Sequence, residues 1–259
     1  RDVAAAVATL RPIVYTPGNH DVGDVPDAGT LELYDRAWGH ASGTHGSRVL
    51  GNQDAVMYLQ LNSQYYQLAE MEDDRAKQLD FLEGQLREID RARTKLVVLL
   101  THIPPFMHDI DEGDGWANWR RAHRISFLDN VTEGLKARME EPRLLWVCGH
   151  FHANVRGKAV HNGVPMDIVV SSAAGSTLHW AVRGVPSNDL NSSDAMQVAQ
   201  LGMQEAFGRF IVSGEDANIR KRLVVDKAYS GVRAFDVYDD GTFKDTWWTA
   251  EGLEGMPRA

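Results

Sequence analysis

The chain of 259 residues is 43% hydrophobic and 24% charged, a globular make-up long enough to bury a sizeable core, which excludes whole-chain disorder and fibre. Its 27 lysines and arginines against 36 aspartates and glutamates leave a net charge of −9 with histidine neutral. That balance speaks against nonspecific nucleic-acid or anionic-membrane partners, because phosphate groups are held mainly by Lys and Arg. The single cysteine, Cys148, builds neither a disulfide framework nor a Cys-based zinc site. No run approaches the roughly 18 consecutive apolar residues of a spanning helix, and no signal peptide opens the chain, so it reads as soluble with a lean to the cytoplasm.

In chain order, Asp2 to Leu10 is helix-like, Pro12 to Thr16 reads as a short buried strand, and Pro17-Gly-Asn-His-Asp21 as the loop leaving it. Leu31, Leu33, Tyr34, Ala37 and Trp38 approximate a helical face that breaks at Gly39. Ala55 to Leu61 reads as a strand. Glu72 to Arg93 is rich in helix formers, with Leu79, Leu82, Leu86 and Ile89 in one stripe. Lys95 to Leu100 and Arg143 to Cys148 are unbroken apolar runs that suit strands covered on both faces, with a helix from Trp119 to Met139 between them. Asn162-Gly163 signals a two-residue hairpin, and Val232–Tyr238 with Phe243–Trp248 a closing one. Strands alternating with helices and followed by hairpins imply a layered α/β sandwich.

Three of these strands end in polar loops of one kind: Asn19-His20-Asp21, His102, and His150 with His152. Ligand sites on open α/β sheets gather beyond the carboxyl ends of strands, so the three loops can share a cleft. Neutral imidazole suits first-row transition metals, and an amide oxygen can complete a mixed nitrogen and oxygen set. In extended backbone His150 and His152 point the same way. No Ser nucleophile motif, P-loop or dinucleotide fingerprint stands at a strand-to-helix turn.

Gly18-Asn-His-Asp21, a lone His102 after a strand and Gly149-His-Phe-His152, in that order, resemble the calcineurin-like metallophosphoesterases. Leu61-Asn-Ser-Gln-Tyr65, His102-Ile-Pro-Pro105, Ile110-Asp-Glu112 and Val169-Val-Ser-Ser-Ala173 look like the branch known as calcineurin-like phosphoesterase domain-containing serine/threonine phosphatases. The resemblance implies a four-layer α/β/β/α sandwich in one domain over residues 1–259, with residues 176–230 inserted in it. It implies two divalent metals (Mn, Fe or Zn), with Asn19, His102 and His150 on one and His152 on the other. It places His20 over the substrate as the catalytic residue and Asp21 behind the loop as its orienting group. The implied reaction is hydrolysis of a phosphomonoester, on phosphoprotein or a small phosphate ester, by a metal-activated water. Phosphodiester hydrolysis is the alternative reaction, and a catalytically silent scaffold the alternative to an enzyme.

The family pattern opens with Asp-x-His and Gly-Asp-x-x-Asp motifs, and neither lies among the 17 residues before Gly18. The expectation is therefore a fragment lacking its first strands and the bridging carboxylate, holding at most one metal, and that weakly. His108, Asp111, Asn118 and Arg120 are candidates for the substrate mouth, with Trp119 and Arg124 as part of a cationic, aromatic wall or as plain helix packing. Asp24 and Asp27 do not replace the missing acids on spacing alone. His123 reads as a surface residue, as do His40 and His45, and His161 and His179 match no ligand of the family.

Overall fold

A computed structural model describes residues 15–38, 46–50, 55–67, 70–105, 119–150, 154–171, 220–227 and 231–249. Its strands are β1 (Gly46–Leu50), β2 (Val56–Gln60), β3 (Leu96–Leu100), β4 (Leu144–Cys148), β5 (Asn154–His161), β6 (Val164–Val170), β7 (Arg220–Lys227), β8 (Gly231–Val237) and β9 (Phe243–Thr249). Its helices are α1 (Asn19–Val22), α2 (Ala28–Trp38), α3 (Glu72–Arg87) and α4 (Arg121–Arg138), with a 3-10 turn at Ser63–Tyr66.

Seven strands form one mixed sheet in the order β1-β2-β3-β4-β6-β5-β7, and β8 pairs with β9 in a second. Neighbours from β2 through β3 and β4 to β6 are parallel, so their carboxyl ends lie along one edge. The apolar run Leu96–Leu100 is continuous because alternate residues enter different cores. Val97 and Leu99 join Leu82, Leu86, Phe127, Val131 and Leu135 of α3 and α4 on one face. Leu96 and Val98 join Val56, Leu145 and Val169 on the other, against Phe235, Val237 and Phe243 of the β8–β9 hairpin. The α/β class is as expected, and the described residues supply a helical layer, the large sheet and the small sheet. A second helical layer outside the small sheet is not among them.

The Asn162-Gly163 turn forms as the sequence predicts, with φ of 48° and 83°, and both of its flanking strands are present. Asp129 of α4 holds this hairpin: its Oδ1 lies 2.6 Å from His161 Nε2 and accepts from Asn162 Nδ2 at 2.9 Å. His161 is thus a buried packing partner.

Several expectations are corrected. The loop at Pro17–Asp21 is in part a helical turn, because Asn19 already opens α1. Tyr15 and Thr16 lie in no strand, and residues 1–14 are outside the described set. Leu33 faces water at 56% exposure, leaving Tyr34, at 3%, as the buried residue of α2. The helix from Glu72 stops at Arg87, and Ile89 reaches the core from the turn beyond it. His123 is half-buried, with Nδ1 3.1 Å from the Tyr66 carbonyl oxygen. Neither β1 nor β7 was foreseen.

Gly241 turns the closing hairpin at φ 78°, and a Cβ there would stand 2.6 Å from the Lys95 carbonyl oxygen. Both a left-handed conformation and a backbone clash oppose any side chain at this position. Gly241→Ala is expected to lower stability by about 2–3 kcal/mol in urea unfolding. A change within about 0.5 kcal/mol, the range of ordinary surface substitutions, would contradict the packing of the hairpin on β3.

Candidate metal centre

Parallel pairing sets the site. Strand β3 continues beside β4 past its last ladder pair: Thr101 N–H donates to Val147 O at 3.2 Å, and Gly149 N–H to His102 O at 2.9 Å. The peptides of His102 and Gly149 are therefore neighbours at the carboxyl edge of the sheet. Groups on either side clamp the His102 segment. Trp146 Nε1 donates to Thr101 Oγ1 at 2.9 Å, Ile103 N–H donates to Ser63 Oγ at 2.9 Å, and Trp119 Nε1 donates to Ile103 O at 2.9 Å. Ser63 belongs to the turn held by Gln78, whose amide exchanges hydrogen bonds with the Asn62 backbone at 2.7 and 3.0 Å. The Asn62-Ser-Gln64 segment thus buttresses the loop that carries His102.

Asn19 enters from α1. Asp21 accepts the Gly18 N–H at 2.9 Å and so orients this loop by capping it. The Asn19 side chain, 9% exposed, places Oδ1 2.9 Å from His102 Nε2, and His150 Nδ1 stands 3.1 Å from that same nitrogen. The two imidazole rings meet edge to face at 76°, centroids 4.9 Å apart. Two glycines leave room for the His102 ring. A Cβ on Gly18 would sit 3.0 Å from His102 Cε1 and Nδ1, and one on Gly149 3.4 Å from Nδ1.

His150 has φ 66°, a left-handed conformation unusual for a residue with a side chain. Such strain concentrates where a side chain must be aimed. It also corrects the extended backbone expected through Gly149–His152, so the same-side argument for His150 and His152 does not hold at His150.

These donors fit a divalent cation. Donors about 2.1 Å from one ion and at right angles to each other stand about 3 Å apart, which the 2.9 and 3.1 Å separations match. Uptake requires Nε2 of His102 to give up its proton, which without a metal it can donate to Asn19 Oδ1. Among the described residues no three His, Cys, Asp or Glu side chains gather around one point, so the trio of two imidazoles and an amide is the candidate.

His20 follows Asn19 in the same turn and is exposed. Arg120 Nε donates to Gln67 O at 3.0 Å, while Trp119 and Arg124 are 1% and 2% exposed. For Trp119 and Arg124 the packing alternative prevails over a substrate wall. His152, His108, Asp111 and Asn118 lie outside the described residues, as do His40, His45, His179 and, apart from 220–227, the segment 176–230 expected to be an insertion. A cavity of about 610 Å³ opens at the opposite ends of β3 and β4, beside Leu96, Leu144, Lys158 and Lys244, and shares no residue with the trio. Cys148 is buried and its thiol is pushed up to about 12, so it is protonated at neutral pH and unsuited to act as a nucleophile. Sequence reasoning missed the contact between Asn19 Nδ2 and Asp24 Oδ1, at 2.8 Å, since a five-residue separation carries no helical or strand periodicity.

The sequence pattern of the calcineurin-like phosphoesterase family matches residues 1–154, and the chain belongs to that family. Among curated proteins it is similar to serine/threonine-protein phosphatase CPPED1. The mouse protein is 31% identical over 185 residues, covering 71% of this chain and 54% of the relative. For the bovine protein the identity is 32% over 176 residues, covering 67% and 50%, and for the human protein 31% over 179 residues, covering 68% and 51%. The chain spans about half the length of the curated relatives it matches. Among the described residues no helix is long and apolar enough to cross a membrane.

Proposed function

We propose that this chain carries metal-binding and substrate-facing residues of a metal-dependent phosphomonoesterase acting on phosphoserine, phosphothreonine or small phosphate esters. The observation that carries the reading is the meeting of Asn19 Oδ1, His102 Nε2 and His150 Nδ1 at the carboxyl edge of a parallel sheet. Family membership and the phosphatase relatives support the reaction class.

In this reading Asn19, His102 and His150 hold one divalent cation, and in a chain that also carries the family's upstream acids His152 would hold a second. Bound there, the cations would supply an activated water and positive charge toward the phosphoryl oxygens. The protein's own part is positional. The clamp on Thr101 and Ile103 fixes the His102 ring, and α1 presents Asn19 on one side and the exposed His20 on the other. His20 donates a hydrogen bond to a phosphate oxygen, or a proton to the departing alkoxide. His108, Asp111, Asn118 and Arg120 are assigned to contacts with the substrate. The same reading includes one domain over residues 1–259 with an insertion at 176–230, at most one metal on this chain, and a cytoplasmic setting suited to its lone thiol.

The test is Mn-supported hydrolysis by this chain and by a version joined at Arg1 to the family's Asp-x-His and Gly-Asp-x-x-Asp segments. The joined form is expected to cleave a phosphoserine peptide well above the chain alone, and faster than bis-p-nitrophenyl phosphate. Preference for the diester would overturn the monoesterase reading, and inertness of both forms in Mn, Fe and Zn would overturn the enzyme.

A further inference from the structure

We propose that Asp24 is a positioning residue: it fixes which end of the Asn19 amide faces the two histidines and thereby sets the affinity of the centre for a divalent cation. The inference rests on the metal site proposed above and adds a determinant outside its ligands.

A carboxamide is two-sided. Its oxygen binds cations and its NH2 group does not, yet rotation by half a turn exchanges them at little intrinsic cost. An Asn ligand therefore needs a neighbour that distinguishes the two ends. Asp24 Oδ1 lies 2.8 Å from Asn19 Nδ2, while Asn19 Oδ1 lies 2.9 Å from His102 Nε2. An ionised carboxylate only accepts, so a flipped amide would set oxygen against oxygen on one side and withdraw the oxygen from the histidines on the other.

Local backbone explains how a residue five positions on reaches back. Gly23, at φ 89°, ends α1 and turns the chain so that Asp24 returns beside the first residue of the helix. Asp24 is exposed and Asn19 is buried, so the carboxylate closes the centre from its solvent side. Its Oδ1 is engaged on the nitrogen end of the amide, away from the meeting point of the donors, which makes it an orienting group and not a ligand.

The experiment is calorimetric titration of Mn2+ into the wild-type chain and into Asp24→Ala, Asp24→Asn and His102→Ala, with the metal-free Tm of each. Asp24→Ala is expected to weaken Mn2+ binding about 10-fold or more, the usual cost of losing a partner of a metal ligand. Its metal-free Tm should stay within about 4 °C of wild type. Asp24→Asn offers a donor as well as an acceptor and can pair with either end of the Asn19 amide, so it is expected to weaken binding about as much as Asp24→Ala does. Wild-type affinity in Asp24→Ala, together with lost binding in His102→Ala, would overturn the role of Asp24 and leave the metal site standing. Wild-type binding in Asp24→Asn would also overturn it, since an amide at position 24 does not distinguish the two ends of Asn19. Unchanged binding in His102→Ala would remove the site itself, and the positioning role with it.

Discussion

His102→Ala is expected to abolish Mn2+ binding within the measurable range, a loss above about 100-fold and so beyond the effect of removing a mere partner of a ligand. His102 is the middle member of the trio: its Nε2 is within 2.9 Å of Asn19 Oδ1 and 3.1 Å of His150 Nδ1. Removing it deletes one donor and leaves the other two without the atom both approach. Hydrolysis by the joined form should fall to background. The fold should survive, because Thr101 and Ile103 are anchored through Trp146, Ser63 and Trp119 and not through the imidazole. Loss of the edge-to-face ring pair costs about 1 kcal/mol, visible as a Tm shift of a few degrees. Metal titration with thermal unfolding checks both halves. A variant that binds Mn2+ like wild type would refute the site, and one that fails to fold would refute the anchoring.

His20→Ala is expected to lower kcat of the joined form by about 10²- to 10⁴-fold, the range for a positioned acid or base. The ring is exposed and stands outside the trio, so Mn2+ affinity should remain within about 3-fold of wild type, unlike for a ligand or its partner. The leaving group separates the two chemical roles. If His20 delivers a proton to the departing oxygen, the loss is large for a serine alkoxide and small for p-nitrophenolate, which departs without one. If it holds a phosphate oxygen, both substrates lose equally. Steady-state kinetics on a phosphoserine peptide and on p-nitrophenyl phosphate check this. Unchanged kcat on both would remove His20 from the mechanism.

The parts of the fold legible in the sequence are those where burial leaves no choice. β2, β3 and β4 are central strands, and covering on both faces demands the unbroken apolar runs that mark them. Asn162-Gly163 is legible because its turn needs two left-handed residues. The two unforeseen strands, β1 and β7, are the two edges of the large sheet. An edge strand pairs on one side only and often carries charge to discourage further pairing, and the Arg220-Lys-Arg222 start of β7 hides the strand behind such a charged run. At the site, the polar ends of β3 and β4 that carry His102 and His150 were legible. The helical start of Asn19, the left-handed His150 and the return of Asp24 to Asn19 were not, because each depends on backbone geometry that residue type alone does not specify. His123 was misleading for a related reason: its Nδ1 reaches the carbonyl of Tyr66, in a segment distant in sequence.

The most direct measurement is an anomalous difference map at the manganese edge from crystals of the chain soaked in Mn2+. A peak in contact with Asn19 Oδ1, His102 Nε2 and His150 Nδ1 is the predicted result. A well-occupied peak elsewhere, with Asn19 Oδ1 and His150 Nδ1 still within hydrogen-bond distance of His102 Nε2, would contradict the assignment of the metal centre and the phosphoesterase chemistry built on it.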